Sequence, residues 1–358
     1  MPRIRQILVR GVNWLGDAVM TLPALMRLHE AHPHAGITIL TREKLADFWY
    51  RQPVVTRVRI IKPSDSLYNT AMDLKEDNYD AALIFPNSPR AALEAWLAGI
   101  PRRIGYAAKW RRLFLTQALP PRPGHVSMHK RSSAEIKQRL ADKAQPDTYP
   151  SEAHHIHQYL HLVAALGANT TSFPPYYHVP YHDLLYFQKK FKIPRDSKRL
   201  AIIPGAEYGS AKRWPAARFI EVANTLHEKC QIHTMILGGS GDESLARDIT
   251  AGLKGACTNL AGKTTLRELA AMLAASDCVL TNDTGPMHLA AAIGTPVVAL
   301  FGSTSPDITA PSHGNTQVVQ AQPSCAPCFL RKCPVDLRCQ NDIQTAAVIA
   351  AVEKKMKP

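Results

Sequence analysis

The chain has 358 residues, 46% hydrophobic and 20% charged, a balance that suits two folded domains and excludes a disordered protein. No apolar run approaches the ~20 residues that span a bilayer, and the arginine-bearing N-terminus lacks the apolar core and cleavage site of a secretion signal, so a cytoplasmic location is expected. The formal charge is +14, with 23 Lys+Arg against 14 Asp+Glu in residues 1–180 and 20 against 15 in the remainder. That field favours an anionic partner, whether nucleic acid, anionic lipid or a phosphorylated substrate, although no zinc finger, RNP motif or other nucleic-acid module accompanies it.

In chain order, residues 6–12 (QILVRGV) read as a buried strand, 13–16 as a turn, and 17–30 as a helix with Val19, Leu22, Leu25 and Met26 on one face. Pro23 is expected in the first turns of that helix, where its missing N–H does least harm. Strands follow at 36–41, 57–61 and 80–85, alternating with helices at 43–51, 64–75 and 88–98. Such alternation predicts a parallel sheet wrapped by helices. Residues 120–150 break the pattern, with one short helix at 134–144. Helical spacing returns at 156–166, and FPPYYHVP and KIPRDS read as a linker. The second half restarts with strands at 199–203, 233–237, 278–281 and 297–301 and helices at 216–229, 243–253, 266–275, 286–293 and 344–357. The expectation is an α/β protein of two Rossmann-like domains, residues 1–175 and 176–342, facing a central cleft, with 343–358 as a helix packing back across the linker.

Ligands of open parallel sheets bind at the carboxyl ends of the strands, where helix N-termini present free N–H groups. Four segments fall there. GVNWLGD (11–17) resembles a phosphate loop but has neither glycine-motif spacing, and on this feature alone helix capping is the favoured reading of Asp17. PGAEYGSAKRWP (204–215) sets Lys212 and Arg213 beside a flexible loop suited to a diphosphate. GGSGDE (238–243) carries acids that could accept from a ribose or, at Asp242, cap a helix. TNDTGPMH (281–288) joins a strand end, polar groups and Pro286 at a first helical turn, with N–H groups placed to hold a phosphate.

Cys325, Cys328, Cys333 and Cys339 fall within fifteen residues. Four thiolates so spaced could hold structural zinc, or less readily an iron–sulfur cluster; a metal-free loop or a single disulfide fits as well. His154, His155 and His157 read as solvated or structural.

Four stretches, ILVRGVNWLGDAVMTLPAL, PGAEYGSAKRWP, NDTGPMHLAAAIGTPVVALFGSTSP and CAPCFLRKCPVDLRC, together and in this order resemble the ADP-heptose–lipopolysaccharide heptosyltransferase family along nearly the whole chain. The resemblance implies a GT-B glycosyltransferase with an N-terminal acceptor domain and a C-terminal nucleotide-sugar domain. It implies transfer of L-glycero-D-manno-heptose from ADP-heptose, with inversion, to a phosphorylated Kdo–lipid A core at the inner face of the inner membrane, as the second heptose added. It also implies Asp17 as catalytic base, Lys212 on the donor diphosphate, Glu243 on the ribose, and Asp283, Thr284, Gly285 and His288 as the donor site, with no metal required for catalysis. Another sugar transferase of the same fold and a nucleotide-sugar epimerase are the near alternatives, and a basic nucleic-acid-binding protein the distant one. A nicotinamide enzyme is disfavoured, since no G-x-G-x-x-G follows a strand.

Overall fold

The computed structural model describes residues 4–311 and 314–357, the Lys109 side chain excepted. Twelve parallel strands form two six-stranded sheets. The first has the order β3-β2-β1-β4-β5-β6, from β1 (Gln6–Arg10), β2 (Gly36–Arg42), β3 (Arg57–Ile61), β4 (Ala81–Ile84), β5 (Arg102–Tyr106) and β6 (Gln117–Leu119). The second has the order β12-β11-β10-β7-β8-β9, from β7 (Arg199–Ile203), β8 (His233–Ile236), β9 (Cys257–Asn259), β10 (Cys278–Asn282), β11 (Val297–Phe301) and β12 (Thr316–Gln320). Counted from its own first strand, each sheet is ordered 3-2-1-4-5-6, the doubly wound arrangement whose strand order reverses between first and fourth strands. The β1/β4 and β7/β10 boundaries are therefore where ligand loops diverge.

The inner strands are fully buried: AALI of β4, CVLTN of β10 and VVALF of β11 have no exposed position. Strands β5, β6, β9 and β12 were not expected from the sequence. β6, β9 and β12 lie at sheet edges and are largely half-buried, so no apolar run announces them, and β5 opens on two arginines. The first helix runs Leu15–Ala31 and carries Pro23 inside it, about two turns past the start, beyond the first turn where its missing N–H would cost nothing.

The chain divides into two compact units, Met1–His125 with Glu152–His178, and Val126–Ser151 with Val179–Pro358. This corrects the expected 1–175 boundary, because residues 126–151 belong with the second unit. Helix Ser133–Ala141 buries Ile136 against Cys325 and Cys328, and Arg131 donates to the Cys325 carbonyl at 2.7 Å. The last helix, Thr345–Lys355, buries Val348, Ala351 and Val352 in the core under the second sheet, with Leu200, Leu226 and Val298. It completes that unit rather than crossing the linker. Between the two segments read as a linker stands helix Tyr181–Lys190, whose buried Asp183 pairs with Arg267.

Candidate active site

In the first unit, the β1 strand ends at Arg10 and the chain turns into helix Leu15–Ala31. Trp14, not Asp17, occupies the N-cap position, so the capping reading of Asp17 is corrected: its carboxylate lies in the first helical turn. An anion there is favoured by the helix dipole. Helix Ile156–Ala164 packs along the same helix and brings His155, at its own N-cap position, to the site. His155 Nδ1 lies 3.8 Å from Asp17 Oδ1, and the imidazole stacks on Tyr159 at 5.4 Å between ring centroids. Burial pushes the His155 pKa down to about 4, opposed by a hydrogen bond with Gln158 and assisted by the charges of His125 and Arg122. His155 is thus neutral at pH 7. Burial, with the Asp17 charge adding, pushes the Tyr159 phenol well up.

Other groups crowd the same place. Tyr106 Oη donates to the Gln158 carbonyl at 2.8 Å and lies 3.0 Å from His161 Nδ1. Arg122 donates to the His154 carbonyl at 3.2 Å, and burial followed by the Arg122 charge depresses the pKa of both His157 and His161. Of the histidines read from sequence as solvated or structural, His155 thus stands beside Asp17. Nothing in their spacing announces it, since the contact is tertiary. Beside the β1 loop, Asn13, Trp14, Arg42, Glu43, Lys44, Ile61 and Pro63 line a cavity of about 510 Å³. Arg42 Nε donates to Asn13 Oδ1 at 3.0 Å, and the Lys44 ammonium sits 5.0 Å over the Trp14 ring.

In the second unit, the loops after β7 and β10 meet at the topological switch. Lys212 Nζ lies 2.5 Å from Asp283 Oδ2, with only 13% and 5% of the two side chains exposed. The same oxygen accepts from Thr304 Oγ1 at 2.6 Å. Burial alone would raise the Asp283 pKa, but the Lys212 charge, hydrogen bonds from Lys212 and Thr304, and the nearby His288 outweigh it and hold it below the ordinary carboxylate range. Asn282 ties the two loops together, accepting from the Trp214 N–H at 3.1 Å and donating to the Pro204 carbonyl at 2.7 Å. Thr284 is the N-cap residue of helix Gly285–Ile293 and makes no side-chain capping bond, with Gly285 and Pro286 opening the helix and His288 buried within its second turn. The N-terminal amides and the Lys212 ammonium form a cationic edge suited to a diphosphate. Asn282 and Thr304 escaped the sequence reading because neither residue type points to a ligand by itself.

The acidic pair after β8 divides its work. Asp242 sits at the N-cap position of helix Glu243–Gly252 without capping it. It accepts instead from the Gly239 N–H at 3.2 Å and pairs with Arg213 at 3.4 Å. A Cβ at Gly205 would fall 2.3 Å from its carboxylate oxygens, so a side chain there would displace Asp242 from its place. Glu243 is half-exposed, 3.9 Å from Arg247, and lies over Gly262 after β9.

The cysteine segment supports the Lys212 loop. Gly209 passes so close to Arg331 that a Cβ would meet its carbonyl oxygen at 2.3 Å. The Ala211 N–H donates to that carbonyl at 3.0 Å, and Tyr208 Oη donates to the Phe329 carbonyl at 2.7 Å. Cys325, Cys328, Cys333 and Cys339 are free thiols. Burial and mutual proximity raise the pKa of Cys325, Cys328 and Cys339, the last to about 12. As arranged, and among the described residues, no three His, Cys, Asp or Glu side chains are grouped to hold a metal ion.

Two doubly wound sheets, one with a carboxylate beside a neutral histidine and one with a cationic edge, are the parts of a two-substrate group-transfer enzyme. The chain belongs to glycosyltransferase family 9 (heptosyltransferase), whose model matches residues 68–338, and its two parallel sheets are the α/β GT-B architecture of that family's solved structures. It is similar to lipopolysaccharide heptosyltransferase 2 of Escherichia coli K12, 29% identical over 88% of both chains. To lipooligosaccharide heptosyltransferase 2 of Campylobacter jejuni serotype O:2 it is 32% identical over 98% of both. The solved E. coli ADP-heptose lps heptosyltransferase II superposes with a TM-score of 0.79 at 25% identity, covering 98% of each chain.

Proposed function

We propose that this glycosyltransferase moves L-glycero-D-manno-heptose from ADP-heptose to the phosphorylated Kdo–lipid A inner core at the inner membrane face, adding the second heptose. The observation that carries the donor half is the buried Lys212–Asp283–Thr304 cluster at the start of helix Gly285–Ile293. The heptosyltransferase 2 relatives support the donor and the acceptor.

Chemically, the Asp17 carboxylate takes the proton of an acceptor hydroxyl as that oxygen forms its bond to the anomeric carbon. The bond from that carbon to the β-phosphate oxygen breaks on the opposite face, so configuration inverts and the electron pair leaves with ADP. Lys212 and the amides of Thr284 and Gly285 hold the growing charge on the diphosphate, as an oxyanion hole does. Asp283 aims Lys212 through their ion pair, His288 lies beside it, and Glu243 takes the ribose hydroxyls. Positive charge is supplied by the protein itself, so the reaction needs no divalent ion. His155, neutral against Asp17, limits the carboxylate's freedom without removing its charge. The basic excess of residues 1–180 faces an acidic glycolipid.

Calorimetry with ADP-heptose tests the donor half: wild type binds, Lys212→Ala binds at least tenfold more weakly, and absence of wild-type binding at millimolar ligand overturns the reading. Turnover on a core bearing one heptose, with none on a core bearing no heptose, tests the acceptor.

A further inference from the structure

Helix Pro89–Leu97 and the short helical turn Lys109–Phe114 pack together on the flank of the first sheet, beside the edge formed by β5 and β6. Phe114 anchors the pair, partly buried against the core that includes Ala92, Ala95 and Ile100. Around it an aromatic cluster faces solvent. Trp96 meets the Phe114 ring edge-on at 5.6 Å and Trp110 meets it at 5.7 Å. Trp96 is 46% exposed, Trp110 54% and Leu113 77%. Large apolar groups this exposed and this close together are unusual on a protein that works alone in water.

The charges beside them have one sign. Arg112 is exposed, and Arg103 reaches across to the Phe114 carbonyl at 2.7 Å. Among the described residues no carboxylate lies within 4 Å of either guanidinium, while the one acid of the helix, Glu94, is turned inward to Arg10 and Arg90. Tryptophan at a surface flanked by unneutralised arginine is the composition of an interfacial lipid contact: indoles settle at headgroup level, leucine goes deeper, and guanidinium groups meet phosphates. A protein partner would be expected to bring acids for Arg103 and Arg112, but an anionic membrane meets all of these groups at once.

We propose that the Trp96–Trp110–Leu113 face, rimmed by Arg103 and Arg112, seats the protein on an anionic lipid surface. The proposal deepens the reading of a lipid-linked acceptor and rests on it for its purpose. No helix of the described residues is long and apolar enough to cross a membrane, so attachment here is by a face laid on the surface.

The test is sedimentation of the full chain with vesicles of phosphatidylethanolamine and phosphatidylglycerol, and with vesicles of phosphatidylcholine alone. The wild type should bind the anionic vesicles more tightly. Trp96→Ser, Trp110→Ser and Leu113→Ser combined should weaken that binding roughly tenfold or more, with unchanged circular dichroism. Arg112→Gln should weaken binding to the anionic vesicles alone. Wild-type protein that binds neither vesicle, or a triple variant that binds as the wild type does, overturns the proposal. So does a dimer, seen by analytical ultracentrifugation, that the triple variant abolishes without any vesicle binding, since it gives the face to a second copy. These readouts need neither donor nor acceptor, so a failed transferase assay leaves them standing and their failure leaves the transferase reading standing.

Discussion

The two sheets share one strand order but carry opposite electrostatics at their ligand edges. Beside β1, Asp17 stands near a largely buried His155, whose pKa burial pushes down to about 4 so that the ring is neutral at pH 7. Beside β7 and β10, Lys212 and Asp283 are locked together in the buried interior, with the carboxylate held below its ordinary range. The difference matches two jobs. A group that takes up a proton during the reaction must sit where protons can move, whereas a group that holds a diphosphate must keep its charge throughout. The fold offers the same edge twice, and the side chains around it decide which task each edge performs.

The largest expected effect breaks the first edge. Asp17→Asn should lower turnover by roughly 10²–10⁴-fold while donor affinity, measured by calorimetry, stays near that of the wild type. Near-normal turnover would remove Asp17 from the chemistry and leave it a residue of the helix's first turn. Next comes the second edge. Lys212→Met strands the buried Asp283 carboxylate and should cost about 3–5 kcal/mol in denaturant unfolding, beyond its loss of donor binding. Adding Asp283→Asn should return part of that stability but none of the donor affinity. The sign with pH follows: a depressed folded-state pKa contributes stability above the unfolded value, near 4, and loses it as pH falls through the folded value. Without Lys212, burial dominates and raises the Asp283 pKa, so the sign reverses: the variant's deficit is full above the raised value and shrinks as pH falls through it.

His155 sharpens the contrast. Its pKa is pushed down to about 4 by burial, so between pH 6.5 and 4 the unfolded chain takes a proton that the folded chain refuses. Folding stability should therefore fall through that window, by up to about 3 kcal/mol. His155→Phe keeps the ring against Tyr159 and removes the titration. Its melting temperature should hold up better than the wild type's on going from pH 7 to 5, and equal slopes for the two proteins would place the acid sensitivity elsewhere.

How much of this was legible follows from what is local. The central strands announce themselves as unbroken apolar runs, and the two alternating halves follow from them. Edge strands such as Gln117–Leu119 and Cys257–Asn259 are half-buried and short, so no periodicity marks them. Lys212 and Asp283 are visible because each sits just beyond a strand end, in a loop rich in glycine and polar residues. Their partners Thr304 and Asn282, and the approach of His155 to Asp17, depend on which loops the topology brings together. Helix 133–141 could not be assigned to a unit from sequence, because its one buried residue, Ile136, finds its partners in the cysteine segment.

A smaller effect separates the two acids after β8. Asp242 is engaged by Arg213 and the Gly239 N–H, whereas Glu243 is half-exposed over Gly262 and can turn to a ribose. Glu243→Gln should raise the KM for the donor roughly tenfold, the value of a charge-assisted hydrogen bond, with kcat little changed. Asp242→Asn should act mainly on stability. If the two variants exchange these phenotypes, the ribose contact belongs to Asp242.

The smallest expected effect is that of chelation. The proposed chemistry draws its positive charge from Lys212 and the amides at Thr284 and Gly285, so EDTA should leave turnover unchanged. It should leave stability unchanged too. The cysteine segment is tied down by protein hydrogen bonds, with the amides of Cys328 and Phe329 donating to the Ser303 carbonyl at 3.1 and 2.7 Å and Arg139 donating to the Ser324 carbonyl at 2.9 Å. A site that folds around zinc behaves otherwise, because its binding free energy is part of its folding free energy. One equivalent of zinc in the purified protein, together with a fall in melting temperature on chelation, would assign Cys325, Cys328, Cys333 and Cys339 to a metal. The Lys212 loop, which leans on Arg331 and Phe329, would then lose its support and donor affinity would fall with it. If zinc leaves and the melting temperature and donor affinity both hold, the segment supports that loop by hydrogen bonding and packing alone.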